Sequence, residues 1–245
     1  MRKEVPEKVS QTEIVFKVEE IEPILSPPNM VLAPWAPRYC DLKQKDGSKK
    51  TMLIRSIERE EIPLVLPYIK RYMDVDHDLY DVVGARVYAE LLALWRNRIK
   101  DEYFLIGQVD GALAGIANGR LLNEKINISL HTMAFMRGMN AGAVLYYAKC
   151  VYCFETLNQE EFWATYESYN GWKRWGIGMA LPTYPYPDVQ HELGGARVFY
   201  LTRKYWDASI RDYTKQLAGT ELLPDPSPEL LARNKQLIIP DDILV

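Results

Sequence analysis

The sequence has few cysteines and few histidines, no long apolar run and no dominant charge sign, and each shortage excludes something. The three cysteines, Cys40, Cys150 and Cys153, are an odd number and give no disulfide framework. Cys150 and Cys153 form a C-x-x-C. It lies within the apolar run Val144–Phe154 rather than at a helix start, with no second Cys or His pair beside it, so the two thiols read as buried packing groups. The three histidines, His77, His131 and His191, have no metal-ligand spacing, and no metal site is expected. Thirty Lys and Arg against thirty-three Asp and Glu leave a formal charge of −3. That balance provides no general attraction to nucleic acid or to an anionic membrane, and no basic stripe interleaved with aromatics appears. No apolar stretch has the length of a bilayer span, and the charged start, Met1 to Pro28, lacks the apolar core of a signal peptide. A cytoplasmic protein is the expectation.

What is present is 245 residues with 48% apolar and 26% charged composition, enough for a sizeable core. The chain divides by texture. Residues 1–50 form an arm punctuated by Pro27, Pro28, Pro34 and Pro37, with candidate strands at Thr12–Val18 and Ile21–Leu25. Val31, Leu32, Trp35 and Tyr39 are too apolar for a free tail, so the arm should lie on the core or on a partner subunit. Lys43–Lys50 reads as a solvated linker. Residues 51–206 carry the regular elements, and 207–245 form an extension with a short helix at Ile210–Leu217.

Within the middle region Met52–Ile57 reads as a strand. Ser56 is the expected cap of the helix that follows, which Pro67 should kink or shorten. Asp78 should cap a second helix, with Leu79, Val83, Val87, Leu91 and Leu94 on one face, running to about Lys100. Tyr103–Val109 and Ala112–Leu122 alternate around Asp110-Gly111, a hairpin signal, and Ile126–Ala134 completes a meander. Gly142–Thr156 is apolar enough for a buried helix. Glu161–Thr165, Met179–Tyr184 and Arg197–Lys204 read as further strands, the last two joined through Gly194-Gly195, with a helical or turn-like piece at Ser168–Trp175.

The segment that carries chemistry is the strand, loop and helix from Ile128 to Ala143. A helix start leaves backbone N–H groups unpaired and carries partial positive charge, and small residues there let those amides close on a phosphate. Arg137 adds a cation, while Gly138 and Gly142 keep the backbone accessible. Taken alone, the segment fits either a pyrophosphate loop or a tight turn with a surface Arg.

The order of elements from Met52 to Tyr205, together with Arg137-Gly138-Met139-Asn140-Ala141-Gly142, resembles the GNAT acetyltransferase superfamily, whose acetyl-CoA loop reads R/Q-x-x-G-x-G/A. Arg137 and Gly142 match. Asn140 stands where the family usually has Gly, and Asn is among the residues that tolerate a left-handed backbone. The resemblance implies an α/β (α+β) fold with a mixed, mostly antiparallel sheet flanked by helices, splayed between its fourth and fifth strands. It further implies acetyl-CoA as co-substrate. Backbone groups of Thr132, Met133 and Ala134 would lie along the pantetheine arm, and Arg137, Gly138, Met139, Asn140, Ala141 and Gly142 around the pyrophosphate. The implied reaction is direct acetyl transfer to a small-molecule or protein amine, with a homodimer as a further option.

An acid for the leaving thiolate is less plain. If Gly176-Ile177 matches the family's Gly-Phe pair, Trp172 occupies the usual tyrosine position, and Tyr166 or Tyr169 must serve instead. His131 is the histidine of the candidate catalytic strand and suits a general base. Trp163, Tyr166, Tyr169, Trp172, Trp175, Tyr184 and Tyr186 form an aromatic cluster read as mostly packing, with one or two lining a pocket. A GNAT-like fold that keeps a cleft or an interaction surface without turnover is the competing reading, and transfer of a longer acyl or an aminoacyl group is a third.

Overall fold

The computed structural model describes residues 32–43, 47–166, 168–182 and 198–243. The candidate strands at Thr12–Val18 and Ile21–Leu25, the Gly194-Gly195 connection, Tyr184, Tyr186 and His191 lie outside the described residues.

Among the described residues seven strands form one sheet in sequence order: β1 (Arg38–Lys43), β2 (Lys49–Ser56), β3 (Glu102–Val109), β4 (Ala112–Leu121), β5 (Ile126–Ala134), β6 (Glu161–Ala164) and β7 (Phe199–Thr202). Every neighbouring pair is antiparallel except β5 and β6, which are parallel. The hairpin between β3 and β4 turns on Asp110 (φ 52°) and Gly111 (φ 84°), the paired left-handed residues that match the twist of the flanking strands. This is the mixed, mostly antiparallel sheet flanked by helices that the resemblance implies.

Period-two alternation on the strands divides the core between two faces. On one, Tyr103, Leu105, Met52 and Ile54 pack beneath α3 (Ala141–Val151), which runs on as a wider-turned π-helix at Tyr152–Thr156. α4 (Arg211–Ala218) follows it on this side. On the other face, Phe104, Ile106, Ile116 and Met133 pack against α1 (Ile62–Arg71) and α2 (Tyr80–Trp95). Gly115 sets how closely α3 approaches the sheet, since a Cβ there would stand 2.6 Å from the Met133 carbonyl oxygen and 2.7 Å from Leu145 Cδ1. Val144 and Leu145 are fully buried, each worth about 1.5–3 kcal/mol of apolar burial.

The described part of the N-terminal segment is built into the sheet. Trp35 is buried and donates its Nε1–H to the Ile54 carbonyl at 3.1 Å, while β1 takes the outer edge beside β2. Leu223 and Tyr39 exchange backbone hydrogen bonds over the far side of β1, which shields that edge. The C-terminal segment, which includes α5 (Pro228–Arg233), returns to the β3–β4 hairpin. There Asn234 accepts the Gly111 amide, and Ile238 bonds to Gly111 and Leu113.

Several local expectations are corrected. Ser56 ends β2 and caps nothing; the Glu61 carboxylate accepts the Glu58 amide at 2.9 Å, ahead of α1. α1 continues to Arg71 through Pro67. Asp78 does not cap α2, because Asp78 (φ 47°) and Leu79 (φ 62°) are both left-handed and the Asp78 carboxylate bonds elsewhere. α2 stops at Trp95, well short of Lys100. Met179–Pro182 is not strand, and β7 pairs directly with β6.

Candidate functional site

Pairing between β5 and β6 ends at Ser129 and Ala164. Beyond that point β5 continues to Ala134 while β6 stops, so among the described residues the β6-side edge of Leu130–Ala134 has no strand partner. A cleft opens there. Its outer lobe, about 600 Å³, is lined by the loop before α3, including Arg137, Gly138, Asn140 and Gly142, with Arg174 opposite. The inner lobe, about 140 Å³, is lined by Ser129–Met133, Tyr146, Lys149 and Tyr166. Thr132, Trp175 and Asp78 line both lobes, which join them into one passage.

The outer lobe has the makings of an anion site. Asn140 (φ 57°) and Gly138 (φ 78°) are left-handed, which turns the chain from β5 into α3. The Asn140 carbonyl accepts the amides of Ala143 and Val144, so Ala141 and Gly142 precede the first helical hydrogen bonds. A Cβ on Gly142 would meet only Ala134 Cβ, at 3.4 Å, so its smallness serves the groove rather than the packing. The Arg137 guanidinium lies 5.9 Å from the centroid of the Tyr80 ring, and Arg174 donates to Asn140 Oδ1 at 3.3 Å. The Asn140 amide nitrogen also donates to the carbonyls of Leu217 (2.7 Å) and Ala218 (3.0 Å). It therefore ties the loop to the open C-terminal end of α4, a role no loop pattern reveals.

The inner lobe is built on a β-bulge. Two steps on β4, from Ala117 to Gly119, match three on β5, from Thr132 to Ser129. Asn118 holds this irregularity: its Oδ1 accepts the His131 amide at 2.9 Å, and its Nδ2 donates to Glu90 and Glu102, each at 2.7 Å. Burial, with Glu90 close by, pushes the Glu102 carboxyl well above its usual range. His131 Nε2 lies 3.3 Å from Glu90 Oε1 but outside hydrogen-bond geometry, and it is a buried atom without a hydrogen-bond partner. Without alignment the contact is weak despite its closeness. Thr132 Oγ1 is likewise buried and unpartnered.

From the α3 side come Tyr146 and Lys149. Tyr146 stacks on Trp175 at 4.1 Å, and its hydroxyl lies 2.7 Å from that of Tyr166. Burial raises both phenols, so both are neutral at physiological pH, and one donates to the other. Lys149, fully buried, donates to the His131 carbonyl at 3.1 Å, and burial lowers its ammonium to about 7. Asp78 reaches across the cleft mouth, where its carboxylate accepts the Tyr169 amide at 3.3 Å. Its left-handed backbone and that of Leu79 hold about 1–3 kcal/mol of strain each at this mouth.

Of the sequence candidates, the cleft brings together His131, Thr132, Met133, Ala134, Arg137, Gly138, Asn140, Ala141, Gly142 and Tyr166. Met139 is buried beneath the loop in the core. Tyr169 is 62% exposed and turns outward against Trp172, and neither of them lines the cleft. Of the aromatic cluster Trp163 is packing, buried with its Nε1 on Glu161, while Tyr166 and Trp175 line the site. Sequence reasoning missed Asp78 at the mouth, Asn118, Glu90 and Glu102 behind the bulge, Arg174 and Lys149. Only Lys149 carried a legible signal, a lone cation within an apolar helix.

No protein-family model matches this chain, and no curated protein matches it. Solved structures do. An uncharacterized protein of Bacillus halodurans superposes with a TM-score of 0.50 at 10% identity, over 77% of this chain and 100% of that one. RimJ of Mycobacterium smegmatis, solved in complex with CoA-disulfide, gives 0.50 at 12% identity over 78% and 99%. The N-acetyltransferase PseH of Campylobacter jejuni, in complex with acetyl coenzyme A, gives 0.40 at 13% over 62% and 98%. The fold, a mixed and mostly antiparallel GNAT-like sheet flanked by helices, is shared with RimJ.

Proposed function

We propose that this protein is an acetyl-CoA-dependent N-acetyltransferase that acts by direct transfer on a small amine or a protein amino group. The observation that carries the reading is the coincidence of three features on one passage: the unpartnered edge of β5, the open loop before α3, and a polar inner lobe. RimJ, which shares the fold, was solved with CoA-disulfide.

The residues fit the co-substrate. Arg137, Arg174 and the amides at Gly138, Ala141 and Gly142 are placed for the pyrophosphate, since the helix start and two cations favour anionic charge. The backbone of Thr132, Met133 and Ala134 offers the edge for an extended amide-bearing arm, by the same pairing that adds a strand to a sheet. Acetyl-CoA, when bound, supplies a thioester carbonyl open to attack by an amine. His131, which lines the inner lobe next to Thr132, is the candidate to take the proton that the amine gives up. Tyr166 is placed to donate its proton toward the departing sulfur. Tyr146 can donate to the Tyr166 oxygen, which leaves the Tyr166 hydrogen free to point into the cleft. Burial of the site strengthens each of these interactions.

Calorimetric titration with acetyl-CoA, followed by thiol release against an amine panel, tests this. Saturable binding with turnover of at least one amine is expected. Absence of binding at millimolar acetyl-CoA overturns the reading. Binding without transfer across the panel leaves a cleft that holds CoA and performs no catalysis.

A further inference from the structure

The inner lobe contains a charge that the transfer chemistry does not use. Lys149 is fully buried in an otherwise apolar helix, and its ammonium has three N–H donors. One goes to the His131 carbonyl; among the described residues the other two have no acceptor, and no carboxylate lies within 4 Å. The carboxylate that exerts a field on it, Glu90, is held by Asn118 on the opposite side of the bulge. A buried cation without a counter-ion is costly, and a buried group left short of partners calls for an explanation, of which a bound ligand is one. The surroundings fit one kind of ligand. Ser129, Thr165 and Tyr166 present hydroxyls around the lobe, and Thr132 Oγ1 is buried without a partner. A single cation ringed by hydroxyl donors matches a compact monoanion with two acceptor oxygens.

We propose that the inner lobe recognises a carboxylate on the acyl acceptor through Lys149, so that the acceptor is an amine carrying a carboxylate a short chain away. This rests on the acetyltransferase reading and deepens it. Lys149 lines the inner lobe alone, whereas Thr132 lines both lobes. An acceptor anchored by its carboxylate at Lys149 therefore points its amine toward Thr132 and the outer lobe, with His131 beside it in the inner lobe. Lys149 is a specificity-determining residue in this scheme and takes no part in proton transfer. Its charge depends on pH. The titratable groups that face it are Glu90 from α2, His131 from β5, Tyr146 and Cys150 from its own helix, and Tyr166 from the segment after β6. Binding of a carboxylate holds the ammonium protonated, so affinity declines as pH rises above neutrality.

The test uses matched pairs that differ only at the acid: glycine and glycinamide, β-alanine and β-alaninamide, 4-aminobutanoate and 4-aminobutanamide. Each is measured by thiol release with acetyl-CoA and by melting shift of the CoA-saturated protein, which needs no turnover. For at least one chain length the carboxylate should be preferred by about tenfold or more, as a charge-assisted hydrogen bond replaces a neutral one. The preference should shrink from pH 7 to pH 9. In Lys149→Met it should fall to about one, and in Lys149→Arg it should persist in part. A native protein that binds acetyl-CoA yet favours no carboxylate in either readout overturns the proposal and leaves the acetyltransferase reading intact. A preference that survives unchanged in folded Lys149→Met also overturns it. Should acetyl-CoA itself not bind, the underlying reading fails, and a melting shift of the CoA-free protein by the carboxylates but not the amides still decides the assignment of the lobe.

Discussion

Replacing Asn140 by Gly would bring the loop to the pattern usual in the family, and the structure predicts that this weakens the protein. Asn140 already adopts the left-handed backbone that Gly would provide, at φ 57° and ψ 21°. What Gly would remove is the side chain, whose amide nitrogen donates to the carbonyls of Leu217 and Ala218 and whose oxygen accepts from Arg174. Three hydrogen bonds at about 0.5–1.5 kcal/mol each, taken at the low end because the site is partly exposed, make a loss of about 1.5–2 kcal/mol. Asn140→Ala loses the same bonds and adds about 1 kcal/mol for forcing a Cβ into the left-handed region. Urea unfolding followed by tryptophan fluorescence should therefore rank native above Asn140→Gly above Asn140→Ala. The midpoints should move at constant slope, and melting temperatures should fall by about 2–4 °C per kcal/mol. Acetyl-CoA affinity should fall, not rise, in Asn140→Gly, since the loop is released from α4. An Asn140→Gly protein as stable as the native one would refute the tether, and Ala proving milder than Gly would refute the backbone argument.

Gly142→Glu should fold with stability within about 1 kcal/mol of native, because its Cβ meets only Ala134 and a helix start accepts a carboxylate, yet calorimetry should show acetyl-CoA binding lost. Tyr166→Phe strands the buried Tyr146 hydroxyl and should cost about 1–3 kcal/mol in chemical unfolding. It should also slow turnover while leaving acetyl-CoA affinity unchanged. Lys149 titrates near 7 when folded and, unfolded, near the usual lysine value of about 10.4. Between those values the unfolded chain holds a proton that the folded chain lacks, so stability rises with pH across that window. Unfolding at pH 7 to 10 should show native stability gaining on Lys149→Met by up to about 1.4 kcal/mol per pH unit; a flat difference would show that the ammonium is not desolvated.

Short-range chemistry wrote much of the fold into the sequence. The β3–β4 hairpin is fixed by Asp110-Gly111, a pair that favours two consecutive left-handed residues and adopts them here, and β5 is bounded by the Asn123 turn and the loop at Met136. The apolar run after Asn140 has the composition of a buried helix and forms one, whereas the loop before it fitted a pyrophosphate loop and a tight turn alike. Where regular elements end was less legible. Asp78 has the composition of a helix cap, but its carboxylate serves Tyr169 across the cleft, a partner 91 residues away. Met179–Pro182 has the composition of a strand, but it forms none, and β7 pairs directly with β6.

The site itself was decided by tertiary structure. Alternation along β5 placed His131 and Met133 together, but the bulge that presents His131 to Glu90 depends on Asn118 of the neighbouring strand. Tyr166 and Tyr169 were equivalent in sequence; packing set one, half-buried, against Tyr146 and turned the other to solvent. Asn140 read as a departure from a pattern until α4, 71 residues further on, provided the carbonyls it caps. Local patterns determine which segments are strand, turn or helix because those preferences act within a few residues. Which polar atoms find partners, and which, like Thr132 Oγ1, are buried without one, is decided only when distant segments pack.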